Sequence, residues 1–158
     1  TAFRLPLSKA LGLRVAMIQD TFKKLLKDEI SPRLRESGLK GSGQNYSIKS
    51  DSHWALIGFQ KSMYSDSQEL KFTINLYVVE KIVWDSVRIE RTKYPVKPNA
   101  NTHWGIGWCK RIGHLFPDNC DFWWSLDETT DLGVLVQQVV EAVSDKALPA
   151  MRGQMQNA

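Results

Sequence analysis

The sequence predicts an α+β fold: about five strands in a mainly antiparallel sheet, with N-terminal and C-terminal amphipathic helices packed on one face. Three patterns predict it. Between Leu70 and Val79, apolar Leu70, Phe72, Ile74, Leu76 and Val78 alternate with Lys71, Thr73, Asn75 and Tyr77. Strand side chains point to alternate faces, so this reads as a central strand with one buried and one wetter face. Val15, Ile18, Phe22, Leu25, Leu26, Ile30 and Leu34 recur at helical spacing, and Leu132, Leu135, Val136, Val139, Val140, Val143 and Ala147 repeat the pattern late in the chain.

The elements follow in order. Residues 1–16 read as a leader or extension, because the first regular periodicity starts near Met17 and Lys9 interrupts the apolar pieces that a secretory signal would need unbroken. Residues 17–148 read as a single α+β domain, and 149–158 as a frayed tail after Pro149. Pro32 is expected to kink the first helix or open a second one with Ser31 as its N-cap, and Gly38 to stop it. The glycine-rich Gly38–Gln44 stretch lacks the spacing of a phosphate-binding loop and reads as a connector.

Asn45–Ser50, His53–Lys61 and Leu70–Glu80 are β-prone and separated by Ser- and Asp-rich turns, which predicts an antiparallel meander. Gly58 marks a bulge or a close neighbour. Lys81–Arg91 fits a short helix as well as an edge strand. The stretch 92–102, with Pro95, Pro98 and its lysines, reads as a basic exposed excursion. Strands at 103–112 and 121–126 are expected to form a hairpin, and acids at Asp127, Glu128 and Asp131 to cap the last helix. The Ser52-His53-Trp54 and Thr102-His103-Trp104 segments resemble each other over too short a span to define a repeat.

Phe22-Lys23-Lys24-Leu25-Leu26, Leu34–Lys40, Phe59-Gln60-Lys61-Ser62 and Phe72-Thr73-Ile74-Asn75-Leu76 together resemble a bacterial family known as domain of unknown function 4304. The resemblance spans about Met17 to Leu148. It departs from the family pattern in the leader and at Leu39, where the pattern has Phe. It implies a stand-alone cytoplasmic α+β domain and carries no catalytic residues with it.

Chemistry is sparse. No apolar run reaches the roughly 20 residues of a membrane span. His53, His103, His114, Cys109 and Cys120 lack metal-ligand spacing, so no metal and no cofactor are expected. Cys109 reads as a buried strand residue, and both cysteines as reduced thiols. No nucleophile elbow is present, and a hydrolase would have to work without a recognisable motif. The net charge of +4 permits contact with a polyanion without requiring it. These observations lead to a non-enzymatic binding module with a protein partner, acting through an aromatic and basic sheet face. Nucleic acid is the alternative partner, because cations and exposed aromatics can serve phosphates and bases. The expected binding residues are Gln60, Lys61, Thr73, Asn75, Tyr77, Arg111, His114 and Trp123. Trp84, Tyr94 and Trp124 are further interface candidates.

Overall fold

The computed structural model describes residues 17–63, 65–66 and 68–156. The expected boundary before Met17 lies outside this range. Helix α1 covers 17–36. It opens as α-helix, widens into a π-helical stretch at Leu25–Ile30, and resumes as α-helix at Ser31–Glu36. Pro32 stands two residues after the wide stretch. Proline lacks an N–H and its ring crowds the carbonyl one turn back, so it is tolerated where the hydrogen-bond ladder already shifts. The helix therefore runs through Pro32. Ser31 is not a free N-cap; its buried hydroxyl hydrogen-bonds the Tyr46 hydroxyl. Gly38, at φ 94°, ends the helix as expected, and its N–H donates to Arg35 O at 3.0 Å.

The expected connector is a hairpin instead. Strands β1 (Leu39–Ser42) and β2 (Asn45–Ile48) pair antiparallel around Gly43-Gln44. Gly43 has φ 57° at the first central position, the arrangement of a type II′ turn. Strands β3 (His53–Lys61) and β4 (Leu70–Glu80) complete the predicted meander. Residues after β4 are helical: α2 spans Lys81–Glu90. The β3–β4 register ends at His53 opposite Glu80, and Lys81 N–H closes onto Ser52 O at 2.8 Å, so an extended continuation has no partner.

The expected late hairpin is absent. Strand β5 is only Trp108–Arg111, a 3-10 turn follows at Ile112–Leu115, and β6 is only Trp124–Leu126. Each pairs with β4 rather than with the other: β5 along Asn75–Val78 and β6 along Leu70–Phe72. Gly105 and Gly107 adopt φ 78° and 80°, which breaks the strand before Trp108. The sheet order is β1-β2-β3-β4-β5, with β6 sharing the outer edge of β4.

Helix α3 covers 132–156. Asp131 caps it by accepting the Val134 N–H at 3.1 Å. A π-helical stretch at Val143–Ala147 again precedes a proline, Pro149, and the helix continues through Leu148–Gln156. The tail expected to fray is thus helical, and Met151 is fully buried.

α1 and α3 pack on one sheet face, as predicted. Phe22, Leu26, Ile30 and Leu34 from α1 join Val139, Val143 and Leu148 from α3 over Phe59, Phe72, Ile74 and Leu76. Phe72 is the aromatic hub. Its ring lies 4.9 Å from Phe22, 5.5 Å from Trp124 and 6.2 Å from Phe59. No described helix is long and apolar enough to cross a membrane. Truncating Phe72 removes contacts to α1, β3 and β6 at once, so Phe72→Ala is expected to cost about 3–5 kcal/mol. Urea denaturation checks this as a lowered midpoint at unchanged slope.

Candidate functional site

Register sorts the second sheet face into rows, because directly paired residues of antiparallel strands share a face. Lys40, Ser47, Leu56, Tyr77 and Cys109 form one row. Ser42, Asn45, Gly58, Asn75 and Arg111 form the next, and Gln60 with Thr73 a third. This is the face expected to be wetter. Over β4 it is sealed: Thr73 and Tyr77 are 0% exposed and Asn75 is 7% exposed, while Cys109 on the β5 edge stays exposed.

Two layers do the sealing. Trp84 of α2 packs with Leu56, Tyr77, Val79 and Ala100, with Trp54, Tyr94, Trp104 and Ile106 around them. The excursion thus folds back onto the sheet rather than standing free. Its carbonyls are satisfied largely by the polar tips of these aromatics. Trp84 Nε1 donates to Pro95 O and Val96 O at 3.1 Å each. Tyr94 donates to Trp104 O at 2.8 Å, Trp104 Nε1 to Asn99 O at 2.9 Å, and Tyr77 to Ile106 O at 2.7 Å.

The second layer is polar and gathers four of the expected binding residues. Asn75 Nδ2 donates to Gln60 Oε1 at 2.7 Å and to Asn101 Oδ1 at 2.9 Å. Arg111 Nε donates to Asn75 Oδ1 at 3.2 Å, and Arg111 Nη1 pairs with Asp121 Oδ2 at 2.9 Å. Trp123 Nε1 donates to the same carboxylate oxygen at 3.1 Å, and its ring lies 5.1 Å from the Arg111 guanidinium. Asn101 reaches this network because Gly58 has no side chain. A Cβ there would sit 2.5 Å from Asn101 Oδ1. Asn75, Gln60, Arg111 and Trp123 are therefore joined to each other and to the loops.

The remaining expected residues disperse. Thr73 lies on the same face and donates to Phe122 O at 2.7 Å. Tyr77 serves the aromatic layer. Lys61 lies on the opposite face, where its ammonium donates to Gln19 Oε1 at 3.0 Å. His114 is exposed in the 3-10 turn beside Asn119 Oδ1 at 3.2 Å, apart from the network. Trp84 and Trp124 are buried at 0% and 5% exposure, which removes them as exposed contact residues. Both cysteines are free and exposed, so Cys109 is not the buried strand residue expected. The described residues contain no group of three or more His, Cys, Asp or Glu placed to hold a metal.

The sheet face stays open over β1 and β2. There a groove of about 520 Å³ runs between the hairpin and the 97–100 segment. Lys40, Asn45, Ser47 and Leu56 form its sheet side, and Lys97, Pro98, Asn99 and Ala100 its wall. No carboxylate lines it. Lys97 also stands 5.6 Å from the Trp54 ring, which carries Lys81 at 4.5 Å. The sequence carries a signal for the Lys40 side alone: Leu39 and Gly41 alternate with Lys40 and Ser42 just before a Gly-Gln pair.

Burial raises the Tyr77 hydroxyl pKa far above its usual value, with smaller contributions from Cys109 and Tyr94. Below the ordinary tyrosine value of 10.0, folded and unfolded chains both hold this proton. Above it the unfolded chain releases the proton first, so stability falls as pH rises. Urea midpoints should therefore decline above about pH 10, and less steeply in Tyr77→Phe.

A family model described as a domain of unknown function, DUF4304, matches residues 30–153. No curated protein and no solved structure matches the chain.

Proposed function

The chain belongs to the DUF4304 family, and from that premise we propose that it is a non-enzymatic module that binds an acidic segment of a protein partner. The observation that carries this reading is the groove over β1 and β2, lined by Lys40 and Lys97 without a carboxylate. Complementary charge would draw a Glu- or Asp-bearing segment into it. The side-chain amides of Asn45 and Asn99 offer hydrogen bonds to an extended chain. Exposed Ile82 and Ile89 on α2, at 73% and 81% exposure, add weight to a protein partner. The unpaired, exposed cysteines support a cytoplasmic location.

Nucleic acid is the second reading, favoured by Lys81 and Lys97 flanking Trp54. It is weaker because base stacking needs an open aromatic face. Tyr46, the aromatic residue that lines the groove, is 3% exposed.

Fluorescence anisotropy with an acidic peptide and a mixed single-stranded oligonucleotide, across salt, tests the reading. The peptide is expected to bind, and Lys40→Ala and Lys97→Ala to weaken it roughly two- to fivefold each, the size of a partly exposed ion pair. Peptide binding untouched by both substitutions would refute the groove. Tighter oligonucleotide binding with a steep salt dependence would favour the second reading.

A further inference from the structure

A second cavity lies on the other side of the molecule, where α3 meets the 116–124 segment. It has a volume of about 340 Å³ and is lined by Phe116, Phe122 and Trp124, with Glu141, Asp145 and Lys146 from α3. The three rings pack edge to face. Phe122 and Trp124 lie 5.0 Å apart at 82°, Phe116 and Phe122 5.5 Å apart at 71°, and Phe116 and Trp124 6.4 Å apart at 80°. Phe122 is 37% exposed, yet its backbone is fixed. Thr73 donates to its carbonyl, and Gly113 packs so closely that a Cβ would stand 2.6 Å from Phe122 N. The exposed ring is thus held in place beside the cavity rather than carried on a free loop.

Charge is the second component. Glu141 accepts a hydrogen bond from Gln137, and Asp145 has no hydrogen-bond or ion-pair partner among the described residues. Lys146 forms no salt bridge with either carboxylate. In a chain of net charge +4, this cavity carries two carboxylates against one ammonium. Aromatic rings attract cations through the negative charge of their faces, and alkylated ammonium groups lose little hydration on leaving water. Carboxylates at the rim add a Coulombic attraction for the same ligand.

We propose that the cavity edged by the exposed Phe122 ring, with Trp124 buried beneath it, and by Glu141 and Asp145 binds a small free organic cation with an alkylated ammonium head. The site is independent of the groove over β1 and β2, so failure of one reading leaves the other standing.

The test is a titration of the full chain with choline chloride and with 3,3-dimethylbutan-1-ol, its neutral isostere, followed by amide shifts in two-dimensional NMR. Choline should give saturable shifts confined to residues 116–124 and 138–146, and should bind roughly tenfold tighter than the alcohol. Asp145→Asn and Glu141→Gln should each weaken choline severalfold and leave the alcohol unchanged. Both sites are exposed, so the variants keep the wild-type urea midpoint. Equal affinity for choline and the alcohol, or no saturable shift at these residues, would overturn the proposal. Choline binding indifferent to both carboxylate substitutions would overturn the charge component, and with it the assignment of a cation site.

Discussion

β4 is buried on both faces, yet one of those faces carries Thr73, Asn75 and Tyr77. Most of the architecture beyond the helices answers that constraint. A buried polar group left without a partner costs about 1–3 kcal/mol, so three in a row on the central strand must each be met. They are met from three directions. Phe122 O receives Thr73; Gln60, Asn101 and Arg111 surround Asn75; Ile106 O receives Tyr77. Each partner outside the sheet belongs to an irregular segment. The polar row therefore fixes where the loops lie, and the aromatic layer of Trp84, Tyr94 and Trp104 seals the remainder.

This arrangement divides one sheet face into two territories. Over β3 to β5 the polar side chains are engaged with each other, and Arg111 is tied to Asn75, Asp121 and the Trp123 ring. Over β1 and β2 the face remains open, and the wall of the groove is the same 97–101 stretch that Gly58 admits to the network. The shape of the groove thus depends on a missing side chain on β3, directly opposite Asn45 in its sheet side. The other end of the covering layer has a parallel consequence: Thr73 holds Phe122, and Phe122 edges the aromatic cavity beside α3.

The sequence made the helix face legible and left the other face obscure, for physical reasons. Phe22, Ile30, Phe72 and Val139 sit where periodicity put them, because one-sided burial writes itself as period two or 3.6. Thr73, Asn75 and Tyr77 look like solvent-facing residues in the same code, since alternation cannot distinguish water from a polar network. Two glycine effects also misled. Gly43 was a turn between strands rather than part of a connector, and Gly105 with Gly107 ended the strand expected from 103. Pro32 and Pro149 looked like breaks, but π-helical stretches before each carry the helices through them. Of the expected binding residues, Gln60, Asn75, Arg111 and Trp123 do converge, as a buried or half-buried network. Lys40 and Lys97, which line the open groove, were hidden in segments read as loops.

The central claim is that the polar row of β4 holds the covering loops in place. Site-resolved amide hydrogen exchange on wild type and Asn75→Ala tests it most directly. The account predicts that amides of 99–107 and of Arg111 exchange at least roughly tenfold faster in the variant, relative to those of Phe22 and Ile30 in α1, because a local opening becomes cheaper. Uniform acceleration across the whole chain, or unchanged protection in 99–107, would contradict it.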